Sequence, residues 1–379
     1  MPVPLEPAFE IPTSDAPLRL DTLVIGAGQA GLAAAYYLRQ RGHNFCLLEA
    51  APMAGAAWAA RYDSLRLFSP AWASGLPGRP WPGNPLHYPS RDETVTYLRD
   101  YAAHFDFPIE TGQRVVRLRS APDAAGYEVS TAAGRRYLAR HVIIATGPYT
   151  TPQRPAWAAA LPPTVAQLHS RDYQRPGQLP GTGPVAVVGS GNSAVQIAAD
   201  LAATGRAVEM AFDEQTTATP NNNLMWTALT LSRFLRIPVH TALGSWIRRQ
   251  PEGVVRHDLH ELRKQPTARF VGRATGVLPG GRLQGQLAAT APLDAVVWAT
   301  GFRPDFGWVE LPIIGPDGAP RHERGLTAAP GVAFLGLPWL NSRGSALLNG
   351  AGTDARRVVA ALDASFAHRT SAAQMPESY

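Results

Sequence analysis

Several things are scarce in this sequence, and each scarcity closes a door. Its 379 residues include a single cysteine, Cys46, set in the apolar run Asn44-Phe45-Cys46-Leu47-Leu48. One thiol cannot form an intrachain disulfide or a CxxC redox pair, which excludes a dithiol reductase mechanism and reads as a buried structural residue. No apolar run reaches the roughly 18 residues a membrane-spanning helix needs. Charged residues make up only 17%, and the excess of 35 Lys and Arg over 29 Asp and Glu, a net +6, never gathers into a block. That distribution reads as a solvated surface and speaks against a nucleic-acid partner. The first residues are proline-rich and acidic where a signal peptide would be basic and then apolar, so residues 1–20 are expected to be a flexible leader and the compartment the cytoplasm. What is present is a globular composition: 45% hydrophobic residues, with 9 Trp, 11 Tyr and 12 Phe, in a chain long enough for two domains.

The chemistry-bearing pattern starts early. Asp21-Thr22-Leu23-Val24-Ile25 reads as a strand, Gly26-Ala27-Gly28-Gln29-Ala30-Gly31 as a glycine turn, and Leu32 to Arg41 as a helix. A second strand, Phe45 to Leu48, ends in Glu49, about 20 residues on, where an acid meets the ribose of a dinucleotide. The first glycine of such a motif allows the tight turn, the second lets a pyrophosphate approach the backbone, and the third lets helix and strand pack closely. The helix start then offers amide groups and a positive dipole end to the phosphates. A carboxylate at Glu49 favours FAD or NAD over a 2′-phosphorylated nucleotide.

The pattern repeats. Pro184 to Val188 leads into Gly189-Ser190-Gly191-Asn192-Ser193-Ala194 and a further helix, then a strand ending at Phe212 before Asp213. Each motif is followed by an apolar strand ending in Ala-Thr-Gly, at Ala145-Thr146-Gly147 and at Ala299-Thr300-Gly301. Small residues there let the chain turn beside a bound cofactor. A Pro/Gly-rich joint over 174–184 precedes the second motif. The expected fold is therefore α/β, with two Rossmann-like dinucleotide-binding domains, the second inserted into the first. The expected FAD-binding domain is discontinuous, 21–155 and 286–379, around an NAD(P)H-binding domain at 156–285. Within 214–275 no pattern converts into a ligand; a lid is one reading, and Trp226, Phe234 and Trp246 read either as core or as the wall of a substrate tunnel.

These residues resemble the two-dinucleotide-binding flavoproteins, and within them the flavin-containing monooxygenase family, in its small bacterial branch labelled potassium-transport flavoprotein-like. Gly55-Ala56-Ala57-Trp58 is similar to that family's Gly-Gly-x-Trp segment along the flavin, with Ala56 in place of the second glycine. The run Arg61 to Pro70 resembles the segment passing the isoalloxazine. Residues 163–173 resemble the family's Phe-x-Gly-x-x-x-His-x-x-x-Phe/Tyr stretch, keeping His169 and Tyr173 but having Pro163 and Val165 where Phe and Gly stand.

The resemblance implies FAD on Gly26, Gly28, Gln29, Ala30, Gly31, Glu49, Trp58, Leu67, Ala145, Thr146 and Gly147, with Leu347 and Leu348 as its last contacts before a helix over 352–362. It implies NADPH or NADH on Gly189, Gly191, Asn192 and Ser193, with Asp213 at that site and Ala299, Thr300 and Gly301 as further cofactor-binding residues. His169 and Tyr173 become hinge residues, and Arg66 and Ser69 the catalytic candidates near the flavin. Asp213 departs from the arginine expected near a 2′-phosphate and points to NADH, unless Arg206 or Arg233 reaches the site. The implied activity is N- or S-oxygenation of a small soft nucleophile by dioxygen through a hydroperoxyflavin. Open alternatives are a reductase or oxidase without oxygen insertion and a non-catalytic redox sensor. No metal site is expected, and the oligomeric state stays open, a homodimer being one option.

Overall fold

The computed structural model describes residues 16–122 and 126–373, with side chains to residue 364. β1 (Leu18–Ile25) is buried through its last four residues, as a strand covered on both faces must be. It begins inside the stretch expected as a leader, whose residues 1–15 lie outside the described residues. α1 (Gln29–Gln40) starts three residues before the expected Leu32 and buries Leu32, Ala33, Ala34, Ala35 and Leu38; the alanines let its neighbours on several sides come close. β2 (Phe45–Leu48) is wholly buried. The short α2 (Ala56–Ala59) and then α3 (Arg91–His104) follow, the latter fixed by a capping box between Ser90 and Glu93. β3 (Ile109–Glu110), β4 (Val115–Ser120), β5 (Tyr127–Thr131) and β6 (Arg136–Ile144) complete the first half.

β7 (Thr151–Pro152) leads out of this unit, and β8 (Ala166–His169), β9 (Val185–Val188), α4 (Asn192–Ala203) and β10 (Val208–Ala211) open the next. Residues 214–275, for which no element was expected beyond a lid, are ordered as β11 (Ala218–Thr219), α5 (Asn223–Leu231), α6 (Ala242–Arg249), β12 (Val254–Val255), α7 (Arg256–Lys264), β13 (Ala268–Phe270) and the start of β14 (Ala274–Leu278). β15 (Arg282–Gly285), β16 (Ala295–Trp298), β17 (Phe302–Arg303), β18 (Val332–Phe334) and α8 (Leu348–Ala373) end the chain. α8 starts four residues before the expected Gly352.

Two sheets carry the fold. In the first, β3-β2-β1-β6 run parallel, β18 joins β6 in parallel, and β5 and β4 extend it antiparallel. In the second, β13-β10-β9-β16-β8 are all parallel. The five parallel strands of one sheet therefore match those of the other, β18 last in the chain where β8 comes first. β16 pairs with β9 and β8 and is fully buried, so the chain leaves the second sheet only after Trp298, later than the expected boundary at 286. The antiparallel pair β7 and β17, Thr151 facing Arg303, links the outgoing and returning segments.

Candidate cofactor sites

The first glycine turn sits where β1 ends between β2 and β6. The Gly26 N–H donates to Leu48 O at 2.7 Å, and the Ala145 N–H donates to Ile25 O at 2.9 Å. Gly26 has φ +109°, and a Cβ there would lie 2.6 Å from Ala145 O; one on Gly31 would lie 1.9 Å from Gly26 O. Both positions require glycine for lack of room. Gly28 is different: nothing lies within 4 Å of where its Cβ would be. It is the N-cap of α1 and supplies no side-chain hydrogen bond to the helix. By contrast, α3, α5 and α6 are capped by Ser90, Asn222 and Thr241. The open side of Gly28 and the uncapped amides of α1 form an anion cradle.

The surrounding residues frame this cradle. Glu49 accepts the Ala27 N–H at Oε2 and the Ala51 N–H at Oε1, both at 3.0 Å, which fixes the carboxylate beside the turn with lone pairs remaining for hydroxyl donors. Gln29 donates to Ala346 O at 2.8 Å and accepts the Trp58 indole N–H at 3.1 Å, tying the start of α1 to Trp58 and to the approach of α8. Ala30 is buried, with Gly336 packed so close that a Cβ on the glycine would lie 2.6 Å from the Ala30 methyl. Leu67 is buried and its N–H bonds Pro89 O at 2.8 Å. Leu348 is buried and Leu347 half-buried where α8 begins. Gly147 has φ +71° and an open flank.

The second turn repeats the first in its backbone. Gly189 N–H donates to Ala211 O at 3.2 Å, and Ala299 N–H to Val188 O at 2.8 Å. Gly189 has φ +150° and stands against Ala299 O, 2.3 Å from a notional Cβ, whereas Gly191, the uncapped N-cap of α4, is open. Asn192 is turned to other work, its Oδ1 accepting the Val255 N–H at 2.8 Å. Asp213 sits at the tip of β10, its N–H on Ser190 Oγ at 2.8 Å and its Oδ1 taking the Gln215 N–H at 3.0 Å. Thr300 donates to Gln153 O at 2.5 Å, and Gly301 is open with φ +84°.

The joint between the units is a hydrogen-bonded seam. His169, fully buried, accepts the Arg171 N–H at Nδ1 (3.1 Å), which leaves Nε2 to donate to Gly301 O at 3.1 Å. Burial lowers its pKa, against the pull of that Gly301 bond. Tyr173 donates to Asp200 at 2.9 Å inside the second core. Arg61 lies over the rings of Tyr149 and Phe302, one from each connecting segment, at 4.8 and 5.0 Å.

Gln196 on α4 was not singled out by the sequence, although it is a lone amide on the otherwise apolar run Val195 to Ala199. It accepts the Tyr62 hydroxyl at 2.9 Å, and its Nε2 donates to Arg66 O at 3.3 Å. Burial pushes the Tyr62 phenol to about 12, so it remains a donor; it also lies beside Ser193. Arg66 therefore joins the two units through its backbone while its side chain is exposed. Ser69 pairs with Ser74 at 2.8 Å in the next turn.

Two sequence alternatives are corrected. Arg206 holds the carbonyls of Gly183, Leu179 and Pro180, at the entry of β9 and so at the opposite end of the sheet from Asp213. Arg233 lines a different cavity, with Trp72 and Asn341. Arg263 lies at the Asp213 end, ion-paired with neighbouring Glu214 and stacked on Phe270 at 4.5 Å. Cys46 is buried in β2, its thiol pushed up to about 12 by burial and by Glu110. Among the described residues no three His, Cys, Asp or Glu side chains gather as a metal site, and no helix is long and apolar enough to cross a membrane.

Open second glycines, uncapped helix starts and an acid at each second strand tip fit the ADP half of a dinucleotide in both cradles. Residues 23–262 match the pyridine nucleotide-disulphide oxidoreductase family. A CzcO-like oxidoreductase of Geobacillus kaustophilus is 36% identical over 345 residues, 90% of this chain and 97% of that protein. CzcO of Bacillus subtilis is 34% identical, over 89% of this chain and 98% of its own length. A solved flavin-containing monooxygenase from Stenotrophomonas maltophilia is 30% identical with a TM-score of 0.74, covering 92% of this chain and 99% of that one. With two dinucleotide cradles and a single inert thiol, the chain belongs to the flavin monooxygenase-like members of the pyridine nucleotide-disulphide oxidoreductase family and is a flavin-dependent oxidoreductase.

Proposed function

We propose that the protein is an FAD-dependent, NAD(P)H-consuming monooxygenase acting on a small soft nucleophile, of N- or S-oxygenation type. The observation that carries this reading is the pair of open cradles joined by Gln196, in a chain whose one thiol is buried and held protonated. In this reading the first unit takes FAD on Gly26, Gly28, Gly31, Glu49 and Trp58, and the second takes the nicotinamide dinucleotide on Gly189, Gly191, Ser193 and Asp213. Bound there, the two cofactors supply hydride transfer and dioxygen activation. The reaction balances when NAD(P)H gives two electrons and a proton, solvent gives a second proton, one oxygen atom joins the substrate and the other leaves as water.

The chain's own residues position and shield. Gln29 braces Trp58 against the approach to α8, and the Tyr62–Gln196 bond holds the two cradles at one spacing, which matters because donor and acceptor must meet closely. Neutral His169 keeps Gly301 in its turned conformation. Asp213 repels a 2′-phosphate, so NADH is accepted and preferred. The kinship with the Stenotrophomonas maltophilia monooxygenase supports the oxygenase reading, as does 29% identity to a rice indole-3-pyruvate monooxygenase over 59% of this chain.

The test is isotopically labelled dioxygen with NADH, FAD-loaded protein and a panel of thioethers and amines. Label appearing in the product, with NADH use stimulated by substrate, is expected. NADH oxidation that yields only peroxide, or that needs an added electron acceptor, overturns it in favour of an oxidase or reductase.

A further inference from the structure

A cavity of about 220 Å³ lies between the segment after the flavin-side stretch, the turn after α5, and the first turns of α8. It is smaller than the roughly 300–1,000 Å³ of pockets that bury drug-sized ligands. Trp72, Leu229 and Leu235 give it apolar walls. Its polar lining is unusual: Asn349 Oδ1 and Asp354 Oδ2 are both buried without a hydrogen-bond partner, as are Nε and Nη2 of Arg357 beside Asp354, and Asp354 is 1% exposed. A buried acceptor left unmet is costly, and the Arg357 donors stop 3.6 Å from Asp354 Oδ1 and leave Oδ2 unmet, so the two acceptors at this cavity are open to a donor-bearing occupant.

The charges around it call for a second feature. Arg233 and Arg236 line the cavity from its solvent-exposed side. Behind Asp354 stand Arg357, whose Nη2 is 3.6 Å from Asp354 Oδ1, and Arg324, which donates to Asn341 Oδ1 at 2.8 Å. Burial raises the Asp354 pKa, and Ser345, Arg357 and Asn341 oppose that rise. Four guanidinium groups against one carboxyl leave the site short of negative charge. Arg233 and Arg324 also hold left-handed backbone, φ +56° and +53°, a strain that tends to collect where side chains must be aimed.

We propose that this cavity binds a small α-amino acid, its ammonium group donating to Asp354 and Asn349 and its carboxylate answering Arg233 and Arg236. The side chain then lies along Trp72 and Leu235. Leu347 and Leu348, the expected last flavin contacts, directly precede Asn349 in the chain, so the site starts where the first cradle ends. The proposal rests on the monooxygenase reading for one point alone: that the amino acid's side chain is the soft nucleophile oxygenated.

Calorimetric titration of the full-length, FAD-loaded protein with L-methionine, its decarboxylated amine and its deaminated acid tests the binding. L-Methionine is expected to bind saturably, and each truncated analogue at least about thirtyfold more weakly. Asp354→Asn should weaken L-methionine by a similar factor. Arg233→Ala combined with Arg236→Ala, on exposed side chains where folding is not at stake, should weaken L-methionine and the acid but not the amine. No saturable binding of L-methionine, or equal binding of the amine, overturns the proposal. Labelled-dioxygen turnover of dimethyl sulfide, which carries no charge, separates the two readings. Sulfide oxygenation without L-methionine binding sinks the amino-acid site and keeps the oxygenase. L-Methionine binding with no label in any product keeps the site and sinks the oxygenase.

Discussion

The two glycine cradles share a backbone and differ in how they are closed. Each has a strand-end glycine against an Ala-Thr-Gly strand, an open second glycine and an uncapped helix. In the first, Gly31 admits no Cβ, whereas the second has Ala194, fully buried in the matching place. In the first, Glu49 is clamped by two backbone N–H groups and Gln29 is bonded on both ends. In the second, Asn192 is engaged with Val255, and Asp213 takes one N–H of its own turn. The lesson is that the dinucleotide motif specifies a backbone shape, while the side chains around it set how tightly that shape is held. A tightly braced cradle suits a cofactor that stays, and a looser one suits a cofactor that must leave each cycle.

The sharpest break of this comparison is at the third motif position. Gly31→Ala drives a methyl group into Gly26 O and is expected to destabilise the protein by about 3 kcal/mol and to abolish FAD retention. Ala194→Gly at the matching place should lower stability by about 2 kcal/mol, the helix-propensity difference plus the loss of one buried methyl group. Thermal melts and the flavin content of purified protein check both. Equal effects at the two sites would show that the cradles are equally close-packed.

Next in size are the acids. Glu49→Ala leaves the Ala27 and Ala51 N–H groups without their acceptor and is expected to lose about 1–3 kcal/mol along with most bound FAD. Asp213→Ala, with one local bond to lose, should leave stability near wild type and shift the NADPH-to-NADH ratio of kcat/KM by about tenfold towards NADPH as charge repulsion is relieved. A strong NADPH preference in the unmodified protein that survives Asp213→Ala would remove Asp213 from the specificity argument.

How much of this was legible beforehand depends on the range of the interactions involved. The strands, both glycine turns and Glu49 follow from local pattern, because hydrophobic run length and glycine spacing are chain-local quantities. The return boundary at 286 missed β16, since only its non-local pairing with β8 and β9 shows which sheet owns it. The helices of 214–275 were hard to read as a group because they are short, eight residues in α6 and nine in α7, and part of α6's apolar face, Leu243 and Trp246, stays exposed. Arg206 was within reach of the second site by sequence distance, yet it precedes β10 and Asp213 follows it, so the length of the strand puts them at opposite ends of the sheet. Gln196 needed three dimensions, as its partners Tyr62 and Arg66 lie about 130 residues away.

That seam gives a finer test. Gln196→Leu keeps the helix and removes the bonds to Tyr62 and Arg66, so both cofactors should bind nearly as before while flavin reduction by NADH slows by about tenfold through misplacement of the two cradles. Unchanged reduction in a rapid-mixing experiment would show that the seam sets no spacing.

The smallest effect expected is a pH dependence at the His169–Gly301 bond of the joint. Burial lowers the pKa of His169 below its ordinary value near 6.5, in spite of the Gly301 bond. The unfolded chain therefore binds a proton at this site at a higher pH than the folded one does. Its contribution to stability is fully present above the unfolded value and is lost as pH falls from there through the folded value. His169→Gln, which can still donate to Gly301 O, removes the titrating group and should flatten that part of the stability profile. His141 and His322 are lowered by burial too, so the measurement is the difference between unmodified and His169→Gln denaturation midpoints across pH 7 to 5. A difference that shrinks steadily as the solution is acidified assigns the loss to His169, while parallel profiles would show that folding does not shift the proton affinity of His169.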